Sequence, residues 1–221
     1  MLSKSHNTLL DYKGQFAKDG FFSVNSVLPD EILLWLNNYI NNLTSEIDKN
    51  GEIPNGIATS IDNNQLSVTG FSNTQQTLGI ASFVLMGTPL IETIAKEICG
   101  DNYVCTHDWM VVKNEDIDQK VGCHQDLVHD GQYPVINVGI YLDDAMEDSV
   151  CFYPGKRAGA EDVCEIEKKI DYQSKSLSKV CVKAGGLSVH DVLLVHGSPP
   201  LQQQKQRKTM YFEFRPEEML E

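Results

Sequence analysis

The chain has 221 residues, of which 41% are hydrophobic and 22% are charged, a composition typical of a globular protein. Its 31 acidic and 18 basic residues leave a net charge of -13, which disfavours nonspecific binding of nucleic acid or an anionic membrane surface. No window approaches the roughly 18 apolar residues of a transmembrane helix, and the N-terminus lacks the apolar core of a signal peptide. The six cysteines form no CxxC pair, so we expect reduced thiols and a cytoplasmic protein.

The first part of the chain, residues 16–100, is predicted to be mainly helical. Residues 1–15 are expected to be a loosely held lead-in, followed by a helix end, a turn at Gly20 and a first strand. Pro29 suits the first position of a helix, and apolar residues then recur at spacings of three and four up to Ile47.

The next segment, residues 48–72, is rich in Asn, Gly, Ser and Thr. It predicts a long irregular segment with room for one short strand, of the kind that often forms a functional wall or lid. A helical stretch over 74–86 follows. A second helix is predicted from Pro89 to a stop at Gly100.

From residue 103 the apolar period changes to two, which is typical of strands. Helices followed by many strands predict one α+β domain over 1–221, with a mainly β core at 101–216 that forms a sandwich or barrel. Residues 155–178 are charged and poor in strand signals, and we interpret them as an insertion near the mouth of the site. The predicted strands are 103–113, 121–126, 135–142, 150–153, 179–183, 187–195 and 208–215.

Three residues in this core form a candidate metal site. His124 and Asp126 are two residues apart, so in an extended segment both side chains point to the same face. His196 closes the apolar run 192–195 and is the natural third ligand. Two neutral imidazoles and one carboxylate on one side of a metal form the facial triad of non-heme Fe(II) oxygenases, which leaves the opposite positions open.

These motifs, in this order, resemble the phytanoyl-CoA dioxygenase family of Fe(II)- and 2-oxoglutarate-dependent oxygenases. The similarity begins at Asp19-Gly20-Phe21 and covers nearly the whole chain. The resemblance implies a double-stranded β-helix, or jelly-roll, with N-terminal helices packed on one sheet. The matching segments are 109–113, 124–126, 141–145, 154–155, 184–191, 196–198 and Arg207.

Carried over by position, the resemblance makes His124, Asp126 and His196 the iron ligands. Arg207 is then the partner of the distal carboxylate of 2-oxoglutarate. Arginine suits this role because its planar guanidinium binds a carboxylate through two parallel hydrogen bonds and stays charged at any working pH.

Five further residues are candidates for contacts with cosubstrate or substrate, and each has a simpler alternative. Ser198 either assists in binding 2-oxoglutarate through its hydroxyl or forms the turn after the histidine motif. Lys113 either faces the pocket and contacts cosubstrate or substrate, or forms a surface ion pair. Trp109 points either into the core or into the pocket. Lys156 and Arg157, near the expected mouth, are candidates for holding a substrate carboxylate or are ordinary surface cations.

The implied function is a dioxygenase that uses Fe(II), 2-oxoglutarate and dioxygen to oxidise a C–H bond of a small molecule, with release of succinate and carbon dioxide. Asp126 argues against halogenation, because halogenating relatives have a small residue at that position. Hydroxylation is the simplest outcome, and desaturation and cyclisation stay open. The chain departs from the family pattern at Leu201 and at Lys156-Arg157, so the pocket wall and the substrate do not follow from the resemblance.

Two other hypotheses stay open. A catalytically silent jelly-roll protein would bind a small ligand or a partner, but it has no chemical need for the triad or for Arg207. A jelly-roll protein using the triad for another metal would need no keto acid, and an Arg207 that points to the open side of the metal would argue against it. His190 is predicted to be a core histidine or a residue behind the ligands, and His129 to lie in a solvated turn.

The acidic composition and the short chain favour a modest-sized metabolite as substrate, such as an amino acid or a natural-product intermediate. The oligomeric state has no signal in the sequence.

Overall fold

The protein is described from a computed structural model. In the described part of the chain the strands form two antiparallel sheets, one of seven strands and one of four. The described residues are 12–50, 52–62, 65–115, 120–127, 129, 131–145, 151–157, 178–201 and 205–220.

The first half of the chain holds the helices and one β-hairpin. Residues 12–19 are helical (α1). The elements that follow are β1 (Phe21–Val24), α2 (Asp30–Asn50), β2 (Ile57–Asp62), β3 (Gln65–Ser72), α3 (Thr74–Thr77), α4 (Ile80–Met86) and α5 (Pro89–Cys99).

The second half is made of strands and ends in a short 3-10 helix (Glu217–Leu220). These strands are β4 (Tyr103–Asn114), β5 (Val121–His124), β6 (Ile136–Tyr141), β7 (Cys151–Arg157), β8 (Ser178–Lys179), β9 (Leu187–Asp191), β10 (Leu194–Ser198) and β11 (Gln206–Pro216). The strand orders are β1-β9-β6-β11-β4-β3-β2 in the large sheet and β5-β10-β7-β8 in the small sheet.

The helices cover one face of the large sheet and bury a continuous apolar core with it. Leu36 and Ile40 of α2 and Ile91 and Ile94 of α5 belong to the same cluster of buried side chains as Phe212 of β11. Each such side chain contributes about 1.5–3 kcal/mol relative to an exposed position. The predicted architecture, a mainly β jelly-roll core with N-terminal helices packed on one sheet, is confirmed.

The other face of the large sheet looks into the space between the two sheets. Side chains alternate along a strand, so the neighbours of the core residues in β4 and β11 point inward. Across these two strands the inward residues form three facing pairs, and all of them line one cavity. The pairs are Trp109 with Tyr211, Val111 with Thr209, and Lys113 with Arg207.

The prediction for residues 48–72 was wrong. Helix α2 continues to Asn50, and residues 57–62 and 65–72 form two paired antiparallel strands rather than an irregular segment with one. Strand β3 pairs with β4 through Gly70, Phe71 and Ser72. This pairing at the edge of the large sheet supplies hydrogen bonds that the polar composition does not reveal, because strand preference depends strongly on context.

Two predicted elements are interrupted. The helix over 74–86 is divided into α3 and α4 at Gly79, which has a positive φ of 52°. The strand over 187–195 is divided into β9 and β10, because Asp191 Oδ1 accepts a hydrogen bond from the backbone N–H of Leu193 at 2.9 Å and closes a turn. This turn moves the chain from the large sheet to the small sheet.

Other boundaries also differ from the predictions. Residues 12–15 are helical rather than a loose lead-in, and residues 1–11 lie outside the described part. Of the predicted insertion 155–178, residues 155–157 belong to β7 and residue 178 to β8, whereas residues 158–177 are not described. Among the described helices none is long and apolar enough to cross a membrane.

Candidate active site

The small sheet brings together the three residues predicted to bind a metal. His124 ends β5 and pairs directly with His196 of β10 in the antiparallel register. Asp126 follows β5, and its backbone N–H donates to the carbonyl of Val192 at 3.0 Å. One ligand atom from each of the three side chains lies within 4.8 Å of the others. This is the compact arrangement that a facial triad requires.

Backbone carbonyls orient both imidazole rings. Nδ1 of His124 lies 2.8 Å from the carbonyl oxygen of Gly122, and Nδ1 of His196 lies 2.9 Å from that of Leu194. An imidazole that donates from Nδ1 keeps the lone pair of Nε2 available for a metal. The Nε2 atoms lie 3.3 Å (His124) and 3.6 Å (His196) from the carboxylate oxygens of Asp126, so the three donor groups face one another.

Burial and neighbouring groups set the protonation of the triad. Burial is the main cause that lowers the pKa of His196 to about 3; Asp126 opposes this shift, and the neighbouring His190 and His124 add to it. Burial raises the pKa of Asp126, but the interactions with His196, His124 and His190 outweigh it and hold this pKa well below its ordinary value. A neutral imidazole and an ionised carboxylate are the forms that bind a divalent metal.

Two buried cations lie side by side on the wall of the same cavity. Lys113 and Arg207 face each other across β4 and β11, with exposed fractions of 1% and 4%. Nζ of Lys113 donates to Oγ of Ser198 at 2.6 Å and to the carbonyl of Pro199 at 2.7 Å. The alternative of a surface ion pair for Lys113 was therefore wrong. Ser198 is buried at the end of β10 and also lines the cavity.

An aromatic pair forms another part of the cavity wall. Trp109 stacks on Tyr211, with ring centroids 5.3 Å apart and planes 18° from parallel. A Cβ atom at Gly139 would lie 2.5 Å from Cε1 of Tyr211, so the glycine makes room for this ring. Trp109 thus lies in the pocket and not in the core. Tyr211 was not singled out from the sequence, although it shares strand parity with Arg207.

His190 and Asn137 approach the triad from the large sheet. His190 was predicted to be a core histidine or a residue behind the ligands, and its ring centroid lies 4.6 Å from that of His196. Nε2 of His190 and Nδ2 of Asn137 lie 2.8 and 2.6 Å from Oδ2 of Asp126. Sequence reasoning missed Asn137, although a lone amide in the apolar strand β6 is a signal for a buried polar contact.

The other predicted residues lie elsewhere or cannot be placed. Lys156 and Arg157 belong to β7, and the backbone of Arg157 pairs with Leu194 of β10, but their side chains lie outside the described part. Nδ1 of His129 accepts a hydrogen bond from the backbone N–H of Gly131 at 3.1 Å, whereas its Nε2 is buried rather than solvated as predicted.

A comparison with protein families agrees with this geometry. The family model described as phytanoyl-CoA dioxygenase (PhyH) matches residues 16–209, which is most of the chain. The chain belongs to the phytanoyl-CoA dioxygenase family. A comparison with curated proteins found no match.

Solved structures share the fold of this family member. EvdMO1 is 24% identical with a TM-score of 0.80, and the match covers 94% of this chain and 50% of EvdMO1. AviO1 from Streptomyces viridochromogenes Tue57 is 22% identical with a TM-score of 0.80, covering 94% of this chain and 95% of AviO1. EctD from S. alaskensis, solved with 2-oxoglutarate and 5-hydroxyectoine, is 15% identical with a TM-score of 0.73, covering 92% and 74%. This chain therefore spans half of EvdMO1 and nearly all of AviO1.

Proposed function

We propose that this protein is an Fe(II)- and 2-oxoglutarate-dependent dioxygenase that oxidises a C–H bond of a small molecule. The observation that carries the proposal is that the His124, Asp126 and His196 triad and the Lys113 and Arg207 pair line one cavity. Membership of the phytanoyl-CoA dioxygenase family supports this general kind of reaction. Hydroxylation is the simplest outcome, with succinate and carbon dioxide as the other products.

The triad suits iron because its donor set has the right chemistry. Two imidazoles with Nδ1 bound to carbonyls, together with one ionised carboxylate, would hold the metal on one side and leave the other side open. When bound, the iron supplies the activation of dioxygen that oxidises the substrate.

The cation pair would bind the distal carboxylate of 2-oxoglutarate. Arg207 offers two parallel N–H donors to a carboxylate. Ser198 assists through its hydroxyl, because its Oγ accepts from Lys113 and so its own proton is available to a carboxylate oxygen. Lys113 orients this hydroxyl and adds positive charge beside Arg207. In this proposal 2-oxoglutarate extends from the triad to Arg207, and the EctD structure with bound 2-oxoglutarate supports the choice of cosubstrate.

The aromatic pair would form the wall against which a substrate lies. Trp109 and Tyr211 present flat surfaces that exclude water from the cavity and orient a bound molecule. Lys156 and Arg157 stay proposed contacts of a substrate carboxylate, since β7 lies beside β10 in the small sheet. A modest-sized metabolite is the proposed substrate class.

The first experiment is an anaerobic titration of metal-free protein with Fe(II) and 2-oxoglutarate, followed by the weak visible charge-transfer band of the keto-acid complex. We expect the band in the wild type and no band in His124→Ala. Arg207→Ala should need about 10- to 100-fold more 2-oxoglutarate, because a charge-assisted hydrogen bond contributes about 1.5–3 kcal/mol.

Lys208→Ala is the matched control. Lys208 follows Arg207 on β11 but points to the other face, where its Nζ contacts Asp143 and Asn41. This variant should titrate like the wild type. If the wild type shows no band and binds another metal or none, the oxygenase proposal fails and a silent binding protein is favoured.

A further inference from the structure

Two side chains of the large sheet hold the carboxylate of Asp126 from behind. His190 of β9 and Asn137 of β6 are direct cross-strand partners and point to the same face. Both are buried, with exposed fractions of 2% and 0%. Nε2 of His190 lies 2.8 Å and Nδ2 of Asn137 2.6 Å from the same oxygen, Oδ2 of Asp126. One carboxylate oxygen therefore receives two contacts from rigid neighbouring strands.

Both contacts are donations to Asp126. An ionised carboxylate only accepts hydrogen bonds, so the nitrogen of His190 that faces it carries a proton. The amide of Asn137 must present its NH2 group, because its carbonyl oxygen at 2.6 Å from a carboxylate oxygen would be repulsive. Two donors occupy the lone pairs of Oδ2, although this oxygen also lies 3.6 Å from Nε2 of His196. The lone pairs of Oδ1, which lies 3.3 Å from Nε2 of His124, are left for another partner.

His190 is close to the triad without being part of it. The group of side chains whose ligand atoms lie within 4.8 Å of one another contains His124, Asp126 and His196, and within the described part it does not extend to His190. His190 therefore contacts the carboxylate of Asp126 without belonging to the group of three side chains that could share a metal.

We propose that His190 is a positioning residue, which together with Asn137 engages Oδ2 of Asp126 so that Oδ1 alone is presented to the metal. This inference rests on the proposed metal site. With Oδ2 engaged by two protein donors, the carboxylate would offer the metal only Oδ1, which would leave more positions for cosubstrate and dioxygen. Without these donors the carboxylate can rotate and bind through both oxygens or turn away.

The test is binding of Co(II), used alone as the probe, to the full-length metal-free protein, measured by calorimetry and by the visible spectrum of the bound ion. His190→Leu removes the donor and keeps a similar volume. His190→Gln retains an N–H donor that can reach Oδ2. Val189→Ala is the control, since Val189 is the neighbour on β9 but belongs to the helix-covered core.

We expect His190→Leu to bind Co(II) about 10- to 100-fold more weakly, the usual effect of removing a partner behind a metal ligand. Its visible spectrum should also change, because the coordination number changes. His190→Gln should recover most of the affinity and the wild-type spectrum, and Val189→Ala should bind like the wild type. If His190→Leu fails to fold, His190→Phe keeps the ring size without a donor and should show the same loss.

Three results would overturn the inference. Wild-type affinity and spectrum in the leucine or phenylalanine variant would show that Asp126 needs no such donor. Equal losses in the glutamine and leucine variants would indicate that the imidazole itself is a ligand. Absence of Co(II) binding in the wild type would instead reject the proposed metal site, and this inference with it.

Discussion

The two faces of the large sheet are built from the same strands but differ in chemistry. Toward the helices, β4, β6, β9 and β11 present mainly apolar side chains such as Met110, Val138 and Phe212, with Lys208 as a polar exception that contacts Asn41. Toward the small sheet the same strands present Lys113, Arg207 and other polar groups, which are equally buried. Buried apolar groups stabilise the fold, whereas buried polar groups cost free energy unless they are paired. The inner face is therefore arranged for binding, and the outer face for stability.

Phe212→Ala on the helix-covered face should have the largest effect, and it should lower stability without changing metal binding. The side chain is fully buried in the helix-covered core, and its removal leaves a cavity. The free energy of unfolding should fall by about 3–5 kcal/mol, measured by urea denaturation. Metal affinity of the folded protein should stay unchanged, because Phe212 does not line the cavity.

Phe212→Leu is the control and should lower the free energy of unfolding by less, since it leaves a smaller cavity. A change in Co(II) affinity with little loss of stability would contradict the division between the faces.

Lys113→Met on the inner face should have a smaller effect, and it should weaken cosubstrate binding rather than stability, the reverse of Phe212→Ala. Removing a buried cation also removes its desolvation cost, which offsets the lost hydrogen bonds to Ser198 and Pro199. The free energy of unfolding should change by less than about 2 kcal/mol. The 2-oxoglutarate concentration at half-saturation should rise about tenfold, the equivalent of 1.4 kcal/mol.

The keto-acid titration described above measures this change, and Lys208→Met on the outer face is its matched control. An unchanged requirement for 2-oxoglutarate in Lys113→Met would remove Lys113 from the cosubstrate site.

The smallest effect concerns the pH dependence of the metal-free protein. Burial lowers the pKa of His196 from 6.5 to about 3, so below pH 6.5 the unfolded chain binds a proton that the folded imidazole does not. The free energy of unfolding should fall by less than about 1 kcal/mol between pH 7 and pH 6. It should continue to fall until the pH reaches the folded pKa.

Urea denaturation at both pH values, with wild type and His196→Gln in parallel, isolates this contribution. The glutamine variant should show a flatter pH dependence, whereas Phe212→Leu should keep the wild-type one. Equal slopes for wild type and His196→Gln would show that His196 does not titrate in this way.

The helices and the alternating strands followed from local patterns. Pro29 predicted the start of α2, and Pro89 and Gly100 bracket α5 as expected. Strands β4 and β11 carried a clear period of two, which predicted both as strands, whereas the direction of Arg207 was left open. These features depend on a few neighbouring residues, which is why sequence reasoning reached them.

Local sequence patterns could not predict the pairing of β2 with β3 or the position of His190. The hairpin has a polar, turn-like composition and is held by pairing with β4, far away in the sequence. A straight strand would have placed His190 about 20 Å from His196. The turn closed by Asp191 brings their rings to within 4.6 Å.

The sequence by itself determined the kinds of donor in the site, because spacing and strand parity set which side chains share a face. It pointed to His124, Asp126 and His196 as one group, and the family resemblance pointed to Arg207 as the partner of a 2-oxoglutarate carboxylate. Only the tertiary structure decided how the groups meet across the two sheets: the burial of Lys113 against Ser198, the stack of Trp109 on Tyr211, and the two donors on Asp126. These contacts join segments distant in the chain, and their distances are set by sheet packing and chain reversal rather than by local sequence.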